Sequence, residues 1–186
     1  MVESHIESRS RRQIVVSWLV ATAALGFGLV EKAVGVTMTN AGVETGNREK
    51  VLNSTENLRL AKQFLEKLGS GASADEIASL CKLDLDWNVP GDPGALPWIG
   101  RKKGRTAMSD FVRDSKAMME RVSLDIQDVF ANEERAVILG HLQSRINATG
   151  RLIDGAFAIF LTFSDTKIAS FLMLENSFAV SMAARR

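Results

Sequence analysis

From Leu83 to Val89 the side chains alternate strictly. Leu83, Leu85, Trp87 and Val89 are apolar, and Asp84, Asp86 and Asn88 stand between them. A period of two is that of a strand with one buried face. Pro90 ends the strand, because proline has no N–H to give to a ladder. Pro90-Gly91-Asp92-Pro93-Gly94 then turns the chain, proline fixing φ and glycine permitting φ > 0. All three prolines and two of the three tryptophans, Trp87 and Trp98, lie between Leu83 and Arg105. A long loop holding a tryptophan between a strand and a helix is costly unless it covers something. The stretch therefore reads as the rim of a pocket.

The flanking patterns supply the rest of the domain. Before it, Thr55–Leu68 has Asn57, Ala61, Phe64, Leu65 and Leu68 on one helical face, with Gly69 placed as a C′ residue. Ser73-Ala74-Asp75-Glu76 is a capping box opening a short second helix. After it, Met108, Phe111, Val112, Ser115, Met119 and Val122 form one stripe, predicting a third helix from Thr106 to Val122. The period then changes to that of strands. Ser123–Ala131, Arg135–Ala148, Arg151–Phe163 and Lys167–Met182, joined by short turns, predict an antiparallel meander. Helices followed by a curved antiparallel sheet make an α+β layer architecture enclosing a cone, whose mouth is a natural ligand site.

Composition removes several function classes. An apolar fraction of 46% with 24% charge suits a globular domain, and 186 residues suit one domain plus a tail. The formal charge of +1 gives no push toward nucleic acid, and Arg101-Lys102-Lys103-Gly104-Arg105, without interleaved aromatics, reads as a solvated loop. One cysteine, Cys81, and two histidines, His5 and His141, leave no metal cluster to expect, and no cofactor is expected either.

The first 52 residues read differently. Ser10-Arg11-Arg12 precedes an apolar run from Ile14 to Val30, closed by Glu31-Lys32. This is the order of an export signal, with twin-arginine character. The run is also near the short end of the ~17–25 residues a spanning helix needs, so an uncleaved anchor contacting the membrane through residues 14–30 competes. Residues 1–37 are thus expected to be a signal or anchor, 38–52 a linker, and 53–186 the domain. Translation from Met38 instead leaves a cytoplasmic protein.

Five short segments in order carry a resemblance: Asp86-Trp87-Asn88-Val89-Pro90-Gly91, Pro97-Trp98-Ile99-Gly100-Arg101 with Gly104-Arg105, Leu139-Gly140-His141, Ala148-Thr149-Gly150-Arg151, and Thr166-Lys167-Ile168. Together they resemble the SnoaL-like, ketosteroid-isomerase-related branch of the nuclear transport factor 2-like superfamily, over Asn57 to Val180. The resemblance implies a cone-shaped α+β barrel with a deep apolar pocket, and a homodimer through the sheet. It does not settle activity, since the scaffold carries enzymes and binding proteins alike. The departures are informative. Where relatives carry Asp-Trp-Ala-His-Val-Phe, this chain has Ala156-Phe157-Ala158-Ile159-Phe160-Leu161. Where they end Phe-Arg-Glu-Tyr-x-Asp-Thr, it has Phe171-Leu172-Met173-Leu174-Glu175-Asn176-Ser177. Steroid isomerisation uses a carboxylate base and an oxyanion hole containing a tyrosine. This chain has no tyrosine, and Val89 stands at the base position before the proline. Ketosteroid isomerase activity as such is therefore rejected.

In the implied cone, Trp87, Trp98, Phe111, Met119, Phe157, Ile159, Leu174 and Asn176 are the candidate ligand-binding residues. His141, if its strand face lines the cone, is a candidate general base. Glu175, a lone carboxylate among apolar neighbours, is the candidate acid–base group. Each has a plainer reading: core packing for Trp87, a hydrogen-bonded strand or interface residue for His141, an ion pair at a dimer face for Glu175, turn chemistry for Asp154. The first expectation is a domain that binds a hydrophobic small molecule. The alternatives are an isomerase, cyclase or hydrolase of the same fold using His141 or Glu175, and an interaction module whose pocket is filled by its own side chains.

Overall fold

A computed structural model describes residues 53–185. The export or anchor segment and the linker lie outside the described residues. The elements are α1 (Ser54–Gly69), α2 (Ala74–Ala78), β1 (Cys81–Val89), β2 (Gly100–Lys103), α3 (Thr106–Met118), β3 (Met119–Ala131), β4 (Arg135–Ile146), β5 (Leu152–Ser164), β6 (Lys167–Glu175) and α4 (Ser177–Ala184). No helix among the described residues is long and apolar enough to cross a membrane.

Local chemistry sets the helix starts. The Asn53 side chain accepts from the Glu56 amide at 2.8 Å and caps α1. The capping box at α2 forms: the Glu76 amide donates to Ser73 Oγ at 3.2 Å and the Ser73 amide to Glu76 Oε2 at 2.8 Å.

The strands form one six-stranded sheet in the order β2-β1-β6-β5-β4-β3, antiparallel except for the parallel β1–β6 pair. Its register separates two faces. Ala136, Ile138 and Ile146 on β4, Ile153, Phe157, Ile159 and Leu161 on β5, Phe171 and Met173 on β6, and Trp87 on β1 are buried on the helix side. Leu60, Ala61 and Phe64 of α1 and Met108 and Val112 of α3 complete this core. The α+β cone expected from the sequence is the fold observed.

Three boundaries differ from expectation. Helix α3 stops at Met118, because Met119 turns to extended backbone (φ −135°, ψ 143°) and the chain pairs with β4 from there. Val122, placed on the helical stripe by its spacing, is an exposed strand residue. The strand expected to run to Met182 ends at Glu175, where Asn176 caps α4 by accepting from the Ala179 amide at 3.1 Å. The basic run is also no free loop, since residues 100–103 pair with β1. Within β1 itself the register slips between Cys81 and Asp86. The slip turns Leu83 out to solvent at 76% exposure, breaking the alternation at one position.

Candidate functional site

The interior of the cone is built from rings. Trp87 stacks on Phe171 with centroids 4.4 Å apart and planes 5° apart. Phe111 lies 5.2 Å from Trp87 and 5.7 Å from Trp98, and Phe64 meets Phe171 edge-on at 6.2 Å. The Phe64–Phe171 and Trp98–Phe111 pairs are T-shaped, an arrangement that ring quadrupoles favour, and Trp87–Phe111 is tilted at 47°. Trp87 Nε1 donates to the Trp98 carbonyl at 2.9 Å, which ties the proline-rich loop back onto its own strand. Trp98, expected at a pocket rim, is 3% exposed and belongs to the core.

Phe157 and Ile159 are buried on the cone face, and half-buried Phe111 and Met119 pack against the same core. Leu174 does not. It pairs with Ala158 on the opposite face and is 42% exposed. Asn176 is engaged as the cap of α4. His141 also sits on the outer face, beside Ala156 and Asp125. Its Nε2 is 3.2 Å from Asp154 Oδ1, and Gln143 Nε2 donates to Asp154 Oδ2 at 2.9 Å. The condition for a catalytic His141, that its face lines the cone, is not met. Strand parity gave the two sets of residues, but only the packing of α1 and α3 decided which set turned inward.

Glu175 is placed differently. It shares the cone face with Phe171 and Met173 and pairs across the sheet with Phe157. Among the carboxylates of β3, β5 and β6, Glu175 is the one on the cone face. It is half buried, and burial holds its pKa above the usual carboxylate range. Among the described residues its carboxylate has no hydrogen-bond or ion-pair partner. Other ionisable groups near the core are accounted for. Burial pushes the Cys81 thiol up to about 12, which removes it as a nucleophile. Arg105 Nε donates to the Cys81 carbonyl at 3.0 Å and Lys102 Nζ to the Pro97 carbonyl at 2.7 Å, so two cations of the basic run serve backbone carbonyls.

Sequence reasoning missed α4 and its partner Asp92. Ser181 Oγ donates to Asp92 Oδ2 at 2.5 Å, and Arg185 donates through Nε at 2.6 Å and Nη2 at 2.7 Å. The Arg185 guanidinium, and then the Ser181 hydroxyl, bring the Asp92 carboxyl down to about 2. The available signal was the asparagine before an alanine-rich run, Ser177-Phe178-Ala179-Val180-Ser181-Met182-Ala183-Ala184.

A six-stranded sheet curved over helices, with an apolar, ring-filled interior and one half-buried carboxylate, defines a cone-type α+β domain. The sequence profile of the SnoaL-like domain matches residues 61–171, more than half of the chain. The protein belongs to the SnoaL-like domain family. Solved structures agree on the fold. A nuclear transport factor 2-like protein from Burkholderia xenovorans LB400 is 21% identical, with 71% of this chain and 98% of that one covered and a TM-score of 0.61. A protein provisionally described as an isomerase, from Rhodopseudomonas palustris, is 18% identical over 67% of this chain and 95% of that one, with a TM-score of 0.59. TerC, co-crystallised with polyporic acid, is 17% identical over 69% and 98%, with a TM-score of 0.58. No curated protein matches the sequence significantly.

Proposed function

We propose that this domain binds an apolar small molecule carrying a hydrogen-bond donor, at the end of the cone where Phe157, Met173 and Glu175 meet. The observation that carries this reading is the Glu175 carboxylate, half buried on an apolar wall without a partner of its own among the described residues. An unpaired acceptor in such surroundings costs free energy, which a donor on a ligand recovers. The rings of Trp87, Phe171, Phe111, Trp98 and Phe64 pack on one another, so this reading puts the ligand at Glu175, outside that cluster. TerC with polyporic acid supports small-molecule binding on this scaffold.

Two measurements test it. Native mass spectrometry of the full chain from its own host is expected to show a retained small molecule that Glu175→Gln loses. A bare mass for the wild type would favour the interaction module with a self-filled cone, the reading that the ring cluster supports. The second is thermal stability against pH. Glu175 is harder to ionise folded than unfolded, so its contribution is full below the unfolded pKa and is lost as pH rises through the folded one. Glu175→Gln is therefore expected to melt higher than wild type at pH 7 and with it at pH 4. Equal melting at both pH values would mean the carboxylate is solvated. The enzyme reading also rests on Glu175, because a raised pKa suits proton transfer near neutral pH.

The proposal extends to a homodimer through the outer face of the sheet. Val137, Leu139, Phe160, Leu172 and Leu174 share that face, and Phe130 beside them is 56% exposed. An apolar patch of this kind on a sheet marks an interface. Leu174→Asp is expected to convert a dimer to a monomer in sedimentation velocity, leaving the fold intact. A wild type that sediments as a monomer at micromolar concentration removes the dimer. Export or tethering through residues 14–30 belongs to the same proposal and rests on the sequence of that stretch.

A further inference from the structure

Helix α4 bridges one end of the sheet. It begins at Ser177, with Asn176 alone between it and the end of β6 at Glu175. Asp92, in the loop after β1, holds it on one side through Ser181 and Arg185. The β4–β5 turn holds it on the other. Thr149 Oγ1 donates to the Ala183 carbonyl at 2.7 Å, and Arg151 Nη1 to the carbonyls of Met182 at 2.8 Å and Arg185 at 3.0 Å.

The way α4 is attached is unusual for an apolar helix. Its two large apolar side chains, Phe178 and Met182, point outward at 74% and 55% exposure. Only the smaller Val180 and Ala183 are buried. The helix is thus held mainly by polar ties at its edges rather than by its own apolar bulk. Few buried apolar contacts and hydrogen bonds near solvent are the marks of a segment that opens independently of the core. The half-buried, partnerless Glu175 sits at the joint where such an opening would turn.

We propose that α4 is a lid over the Glu175 end of the cone, latched by Asp92 to Arg185 and Ser181, and that release of this latch admits the ligand. The inference rests on the ligand-binding reading above and specifies how that site is reached. Closed, with α4 in place, Glu175 is half buried. Opening hydrates the carboxylate and frees the Phe157–Met173 wall. Asn176 supplies the pivot, since its side chain keeps the first turn of α4 capped while its own backbone is non-helical (φ −72°, ψ 87°).

The test uses the full chain with Asp92→Ala and, separately, Arg185→Ala. Two readouts are taken: hydrogen exchange of the α4 amides and the association rate of Nile red, a neutral apolar dye. Losing charge-assisted bonds is expected to speed α4 exchange by about tenfold or more in both variants, with β5 and β6 unchanged. Dye association is expected to accelerate by a similar factor. Unchanged α4 exchange overturns the latch. Exchange that rises equally in β5 and β6 also overturns the lid, since α4 is then part of the core. A dye that binds at an unchanged rate while α4 exchange rises shows that α4 does not gate the cone. Dye bound by neither wild type nor variants sinks the ligand-binding reading itself, and the gate with it.

Discussion

Trp87→Ala is expected to lower stability by about 3–5 kcal/mol, enough to unfold a marginal domain. Trp87 is fully buried, and three losses coincide at it. Its stack on Phe171 at 4.4 Å disappears, together with its contact to Phe111 at 5.2 Å. The residual cavity is buried and bordered by the Phe111 and Phe171 rings. The Trp98 carbonyl also loses its donor and becomes a buried unpaired acceptor, a further cost of about 1–3 kcal/mol. Trp87→Phe separates the effects. It keeps a ring against Phe171 but not the Nε1 bond, so its loss is expected to be clearly smaller. Urea unfolding of the full chain followed by far-ultraviolet circular dichroism reads both variants. A Trp87→Ala loss below about 1 kcal/mol would show that the ring cluster does not hold the cone together.

Gly140→Ala is expected to cost about 2–3 kcal/mol, a large effect for one methyl group. A Cβ at residue 140 would stand 2.5 Å from the Asp125 carbonyl oxygen and 2.6 Å from the Phe157 ring. Neither neighbour yields readily. Asp125 O is backbone of the paired strand β3, next to a register shift between Ile126 and Asp128. Phe157 is buried over residue 140 at the wall that leads to Glu175. Phe157→Leu in the same chain is expected to restore part of the loss, because it relieves the ring clash and leaves the carbonyl clash. Thermal melts of the two single variants and the double variant measure this coupling. Additive losses would mean that residue 140 does not press on the Phe157 ring.

The two effects differ in how visible they were beforehand. Trp87 was legible as a strand residue on an apolar face, because the alternation from Leu83 to Val89 needs only local reading. Its partners were not legible, since Phe171 comes from a parallel strand far along the chain. Gly140 was recognisable only as part of a resembling tripeptide, and nothing local shows the ring above it. The same division explains the misplaced helix end at Val122. Helical spacing continued through Met119 by coincidence, and cross-strand pairing with β4 overrode it.

The candidate site divides in the same way. Glu175 was legible as a carboxylate in an apolar strand, and its parity with Phe171 and Met173 was correct. His141 and Leu174 were equally reasonable by pattern, yet both stand on the outer face. A lid held by Asp92 and Arg185 joins residues 93 positions apart and leaves no periodic trace.

By itself, the sequence determined the strand and helix chemistry: the alternation before Pro90, the Ser73–Glu76 capping box, and the absence of the tyrosine that a steroid-isomerase oxyanion hole requires. Those depend on neighbours a few residues away and on composition. The tertiary structure alone decided which sheet face turned toward α1 and α3, which rings pack in the cone, and that Glu175 became half buried without its carboxylate gaining a partner. The physical reason is that parity says which side chains travel together, whereas burial and desolvation depend on what the rest of the chain packs against them.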